Sequence, residues 1–203
     1  MSEVIEINKI GAETILVPIL GTAPLIVHRF SEKAKRQMLD AMQGRKTPKV
    51  AKDPEAEYLA CFYRFEDEGS GFPVIAFKAA TVSAARFYGK EVSMVGLRQQ
   101  VFFNGTIGVD GQMLARINGE ARMREDVCRV GNGGADLRYR PEYREWSTTI
   151  EVTYVSSMLT RSSVLSLIDA GGMGVGVGEW RPEKRGDFGT YQVDPSREVE
   201  IVR

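Results

Sequence analysis

The chain has 203 residues, 43% hydrophobic and 27% charged, an ordinary globular balance with length enough for one sizeable core. Lys and Arg total 27, as do Asp and Glu, so the formal net charge is zero; no global positive field argues for a nucleic-acid partner, and any such site must be a local patch. Two cysteines, Cys61 and Cys128, lack metal-ligand spacing and His28 is the single histidine, which argues against a zinc site or other metal, with no cofactor expected. The cysteines read as two buried, reduced thiols of a cytoplasmic protein. Met1 to Glu6 alternates with acid and does not read as a signal peptide. No apolar run approaches the ~20 residues that span a bilayer, so no membrane contact is expected.

In chain order, Thr14 to Val27 predicts one long strand or two short ones, with Pro18 marking an edge or a bulge. Ser31 to Met42 predicts a helix capped by Ser31, with Ala34, Met38, Ala41 and Met42 at helical spacing. Residues 44–54 form a basic loop with Arg45, Lys46, Lys49 and Lys52. Tyr58 to Phe65 reads as a strand, followed by an acidic turn over Glu66 to Gly71 and a short extended piece, Phe72 to Ile75. Phe77 to Tyr88 is an alanine-rich helix stopped by Gly89. Val101 to Phe103 and Met113 to Ile117 look like strands. Gly119 to Trp146 has little apolar periodicity and reads as a long irregular or ribbon-like insertion. Thr148 to Val155 alternates as a strand, Ser162 to Ala170 is a helix with Thr160 as cap, and Tyr191 and Val193 belong to a last strand.

Without the helical and basic insertion at 28–66 and the Arg-rich insertion at 118–146, the order is β-α-β-β-α-β. That is the α+β, ferredoxin-like (RRM-like) arrangement, expected as a single domain over residues 1–203. The fold alone does not specify function.

Three groups of residues carry candidate chemistry. The stretch Ala170 to Gly189 runs from a helix into alternating glycines, then Trp180, Arg181, Lys184, Arg185 and Phe188. Its helix–glycine–strand order excludes a dinucleotide fingerprint, and no P-loop triplet follows. Gly171 and Gly172 fit a tight helix-to-strand turn. Gly174, Gly176, Gly178, Gly186 and Gly189 suggest a backbone cradle in which something approaches closely. Arg181, Lys184 and Arg185 offer charge for phosphate, and Trp180 and Phe188 flat faces for bases. The insertion holds Arg122, Arg124, Arg129, Arg138, Arg140 and Arg144 with interleaved Tyr139, Tyr143 and Trp146, but also Glu125, Asp126, Asp136, Glu142 and Glu145. These arginines contact a strand, or form a self-satisfied ion-pair network, or meet a neighbouring subunit. Lys78 and Arg86 share a helix face with Val82. Lys78 at a helix start sits against the dipole unless an anion is near. His28 is a structural histidine at a strand end or the acid–base group of a metal-independent ribonuclease.

Phe72-Pro73-Val74-Ile75-Ala76-Phe77-Lys78-Ala79-Ala80 and Arg185-Gly186-Asp187-Phe188-Gly189 resemble the helix start and glycine-rich loop of the RAMP superfamily, the ferredoxin-like RNA-binding subunits of CRISPR effector complexes. Ala76 to Ala80, Met123 to Asp126 and Gly178 to Lys184 are similar to stretches of uncharacterised phage-encoded proteins. The resemblance implies a RAMP-like domain that binds single-stranded DNA or RNA without cutting it and lines up as a homo-oligomer along the strand. The 118–146 insertion would be its protruding thumb. Asp187 departs from the loop pattern, where small or basic residues are usual. A protein-interaction module that mimics or blocks a host complex is the alternative that zero net charge favours.

Overall fold

The protein, a computed structural model, is described over residues 9–45, 51–130 and 134–202. Met1 to Glu6, Lys46 and Lys49 lie outside these residues. The elements in chain order are β1 (Glu13–Gly21), β2 (Leu25–Ile26), α1 (Glu32–Met42), α2 (Pro54–Ala60), β3 (Tyr63–Arg64), β4 (Ser70–Pro73), α3 (Val74–Ser83), α4 (Met94–Gln100), β5 (Val101–Asn104), β6 (Thr106–Ile107), β7 (Met113–Arg116), β8 (Ala121–Val130), β9 (Gly134–Tyr143), β10 (Ser147–Tyr154), α5 (Arg161–Gly174), β11 (Tyr191–Val193) and β12 (Glu200–Ile201). Short 3-10 helices follow α3 at Ala84–Tyr88 and α5 at Pro182–Lys184.

The central sheet has the strand order β11-β1-β10-β5, every neighbouring pair antiparallel, with β12 also on β1. With α3 between β1 and β5, and α5 between β10 and β11, this is the fourth-first-third-second order of a β-α-β-β-α-β unit. The fold is therefore α+β and ferredoxin-like. β10 shows why the sheet forms: Thr148, Ile150, Val152 and Tyr154 alternate inward and are buried, while the residues between them are half-buried. They join Ile15, Val17 and Ile19 of β1, Phe77 and Ala80 of α3, and Val164, Leu167 and Ile168 of α5 in one contiguous apolar cluster.

Pro18 pairs in register with Thr149 inside the central strand, so it marks neither a bulge nor a sheet edge. Its carbonyl accepts from the Asp194 amide at 2.9 Å. Its nitrogen therefore faces the same side, in the gap where β11 has ended and β12 has not begun, and no ladder donor is missed.

Several expected elements are corrected. Tyr58 to Phe65 is not one strand: Asp53 caps a helix by accepting from the Ala56 amide at 3.1 Å, Pro54 opens it, and α2 runs to Ala60 before the two-residue β3. Helix α3 begins at Val74 rather than Phe77, directly after Pro73 ends β4. Lys78 thus lies in its second turn, past the dipole's reach. Helix α5 does not stop at Ala170 but runs through Gly171, Gly172 and Met173 to Gly174. Gly171 and Gly172 are thus helical rather than turn residues. A Cβ on Gly171 would stand 2.8 Å from the Ala80 carbonyl carbon, and one on Gly172 2.0 Å from the Tyr191 carbonyl oxygen. These glycines let α5 lie against α3 and β11, a tertiary requirement that overrides helix propensity. Cys61 is buried, but Cys128 is only half-buried; burial pushes the Cys61 thiol up to about 11.

The 118–146 insertion is the ribbon form of the expectation. β8 and β9 pair over ten residues each, from Ala121 against Tyr143 to Val130 against Gly134, and β2 adds to the β9 side. A third sheet, β3-β4-β7-β6, completes the described strands. Among the described residues no helix is long and apolar enough to cross a membrane.

Candidate nucleic-acid interface

The segment from Val175 to Gly189 is folded tightly on itself. It turns at Gly176, Gly178 and Gly189, all at positive φ, and also at Trp180 (φ 52°) and Arg185 (φ 63°). Backbone bonds close it: Val177 N–H to Gly189 O at 2.9 Å, Glu183 N–H to Val175 O at 3.2 Å, and Phe188 N–H to Trp180 O at 3.1 Å. The amides of Gly176, Gly186 and Gly189 donate to Gly171, Arg181 and Pro24 carbonyls. A Cβ on Gly174 would strike the Phe87 ring, one on Gly178 the Ile26 carbonyl, and one on Gly186 the Trp180 carbonyl. Close approach is real at all of these glycines, and what approaches is the protein's own chain.

The hairpin stands beside this segment. Arg124 lies directly opposite Arg140 in the ladder, a like-charge pair that two strands tolerate only with acids beside it. The acids sit along the strand and on the diagonals. Arg124 donates to Asp126 at 2.9 Å and to Glu142 at 2.7 Å, and Arg140 donates to Asp126 at 2.6 Å. Arg140 is 1% exposed and also comes within 3.4 Å of Glu179 in the glycine segment. Trp180 and Phe188 meet edge to face at 6.0 Å between centroids. The Arg124 guanidinium stands 4.9 Å over Phe188 and 5.2 Å over Trp180, and that of Arg140 5.2 Å over Trp180. The network joins hairpin and loop into one body.

The expected cations thus sort into two sets. Arg122 pairs with Glu120, Arg138 with Asp136, Arg144 with Glu142, Arg86 with Glu183, and Arg181 with Glu183, alongside Arg124 and Arg140 above. Lys52 of the basic loop reaches Asp136. Among the described residues, Lys78, Arg129, Lys184 and Arg185 have no acidic partner. Lys78 lies 5.1 Å over the Phe102 ring on β5, while Arg86 turns toward Glu183 at 3.6 Å, so these two do not converge. Lys184 and Arg185 are exposed at the turn of the glycine segment.

Between α3 and this segment lies a cavity of about 320 Å³. Ile75, Ala76, Ala79 and Val177 give apolar walls, with His28, Tyr63, Gln112, Glu179 and Arg181 among them. His28 Nδ1 is 3.3 Å from Glu179 Oε1. That hydrogen bond holds the Glu179 carboxyl below its usual range against the opposing effect of burial, and the Arg140 charge adds to it. Burial pushes the Tyr63 hydroxyl up. Glu179, Tyr63 and Gln112 were not expected from sequence. Glu179 stands inside the quoted Gly178 to Lys184 stretch, but nothing local pairs it with a histidine 151 residues away. Among the described residues no three His, Cys, Asp or Glu side chains gather as metal ligands.

No family model matches the chain, and no curated protein matches it. Among solved structures it is similar to a chain of the Type III-B Cmr-beta complex bound to cognate target RNA, with 9% identity over 95% of this chain and a TM-score of 0.46. It spans 61% of that chain's length. It is also similar to Cmr6 from Pyrococcus furiosus, with 9% identity over 92% of this chain and 100% of that one, and a TM-score of 0.43. The ferredoxin-like assignment rests on this chain's own strand order.

Proposed function

We propose that this protein binds single-stranded nucleic acid without cutting it and lines up as copies along the strand, in the manner implied by the RAMP-like and phage-type sequence stretches. The observation that carries the reading is the pair Lys184 and Arg185. Both are exposed and without acidic partners among the described residues, on a segment locked by its own backbone bonds. In a molecule of zero net charge, such a rigid, uncompensated pair gives a local positive site for phosphate. Arg124 and Arg140 act one step back by fixing Trp180 and Phe188. The β8–β9 hairpin serves as the thumb, contacting the strand or the next copy. A gel shift with homopolymeric single strands at low salt tests the reading: retarded bands that vanish as salt rises are expected, and no retardation at low salt overturns it. Electron microscopy tests the assembly, with filaments expected only when strand is present.

A second reading has one observation in its favour. The His28–Glu179 pair at 3.3 Å orients an imidazole as a metal-independent ribonuclease would need. RNA cleavage by the purified protein, lost in His28→Ala, would promote it; absence of cleavage removes it.

A further inference from the structure

The cavity between α3 and the glycine segment plays no part in holding phosphate, and its composition points to a different task. Its volume of about 320 Å³ lies at the small end of organic-ligand pockets, about 300–1,000 Å³. That is room for a nucleoside and not for a peptide segment. The walls from Ile75, Ala76, Ala79 and Val177 are apolar and low, suited to the face of a flat ring. The Tyr63 and His28 rings also line it, and bases splayed from a strand stack on such rings.

Polar capacity converges on the same space. The Tyr63 hydroxyl makes no hydrogen bond among the described residues. Gln112 spends its amide nitrogen on Asp110 at 3.0 Å, which leaves its carbonyl oxygen. His28 uses only Nδ1, toward Glu179, so Nε2 is open. Glu179 has one oxygen on His28 and the other on Arg140, and each carboxylate oxygen can accept again. Donor and acceptor positions around an apolar slot match the edge of a base. A sugar would need more polar walls, and a phosphate would meet the Glu179 and Glu183 carboxylates that line the cavity. Arg181, also in the lining, leads in sequence to Lys184 and Arg185. Glu183, likewise in the lining, directly precedes Lys184, so a strand held at those cations meets the chain one residue from the cavity wall.

We infer that this cavity receives one unstacked base of the bound strand, held between apolar walls and read at its edge by Glu179 and His28. The inference rests on the strand binding proposed above and assigns the base-accepting part of that site. Its test uses the full chain and a short single-stranded oligoadenylate carrying the fluorescent analogue 2-aminopurine, whose emission rises when it leaves the stack. Binding should raise the emission. Ala79→Trp and Ile75→Trp, two exposed positions on the cavity wall, should abolish the rise and weaken binding by about tenfold, the value of one stacked base, while salt-sensitive residual binding persists. Binding with no rise in emission, or with an equal rise in both variants, overturns the base slot and leaves the strand-binding reading in place. No binding by the unaltered protein removes both.

Discussion

Arg140 is the residue on which hairpin, glycine segment and cavity meet. It is 1% exposed, donates to Asp126 at 2.6 Å, faces Glu179 at 3.4 Å and carries its charge 5.2 Å over Trp180. Taking a guanidinium out of water is costly, and the cost is met only while the acids are in place. Arg140→Ala should therefore cost about 1.5–3 kcal/mol, because buried Asp126 keeps Arg124 but loses a charge-assisted hydrogen bond, and Glu179 is left with His28 alone; urea denaturation measures it. Arg140→Met combined with Asp126→Leu removes both charges and should recover most of the loss. A single-variant cost below about 1 kcal/mol would mean that the pair is solvated as a surface pair is. Glu179 adds a pH dependence. Its carboxyl is held low in the fold by the His28 hydrogen bond and the Arg140 charge, so the native state binds its proton less readily than the unfolded chain. Its contribution is full above the unfolded value, about 4.3, and is lost as pH falls through the lowered folded value. Urea midpoints measured from neutral into acid should fall less steeply for Glu179→Gln than for the unaltered protein.

At the scale of elements, two helical glycines that look alike in sequence should respond in opposite ways. A Cβ on Gly96 in α4 meets only side-chain atoms at 3.6 Å or more. Gly96→Ala should stabilise the protein by about 0.4–1 kcal/mol through the unfolded chain. A Cβ on Gly172 in α5 falls 2.0 Å from the Tyr191 carbonyl oxygen. Gly172→Ala should destabilise by roughly 1–3 kcal/mol as the helix is pushed from β11. Thermal melts of the two variants side by side check the pair, and a stabilised Gly172→Ala would contradict the close packing. The same contrast explains what sequence could reveal. β10 was legible because its inward residues alternate without interruption, and the start of α5 because Thr160 caps it, accepting from the Ser163 amide at 3.2 Å. The end of α5 was not, because glycine signals a stop locally while its partner, Tyr191, lies far along the chain. α2 was hidden for another reason: Tyr58 to Tyr63 is a nearly unbroken apolar run whose periodicity fits strand or helix, and the deciding signal was the Asp53-Pro54 start. The Phe188 loop and the arginine-rich hairpin were visible as compositions. Their joining through Arg124 and Arg140 depends on ladder register, which no local pattern prints.

For the whole molecule, zero net charge makes the placement of each cation decisive. A neutral surface gives little long-range attraction to a polyanion, so affinity must come from cations whose field is not already spent on an acid beside them. Lys184 and Arg185 meet that condition, whereas Arg138 is 3.6 Å from Asp136 and half-buried against it. Each phosphate neutralised on a single strand releases condensed counterions and adds about −0.7 to the slope of log affinity against log salt. Removing both loop cations in Lys184→Ala/Arg185→Ala should therefore flatten the slope by about 1.4, while the circular dichroism and melting temperature stay those of the unaltered protein. Arg138→Ala should leave the slope where it was, because Arg138 and Lys52 share the carboxylates of Asp136 and Glu57, two charges against two, in the free protein and the bound one alike. Fluorescence anisotropy of a labelled homopolymer across a salt series gives all three slopes. Were Arg138→Ala to flatten the slope and the loop variant to leave it intact, the strand would run along the hairpin, and the ion pairs there would have to open for phosphate on binding.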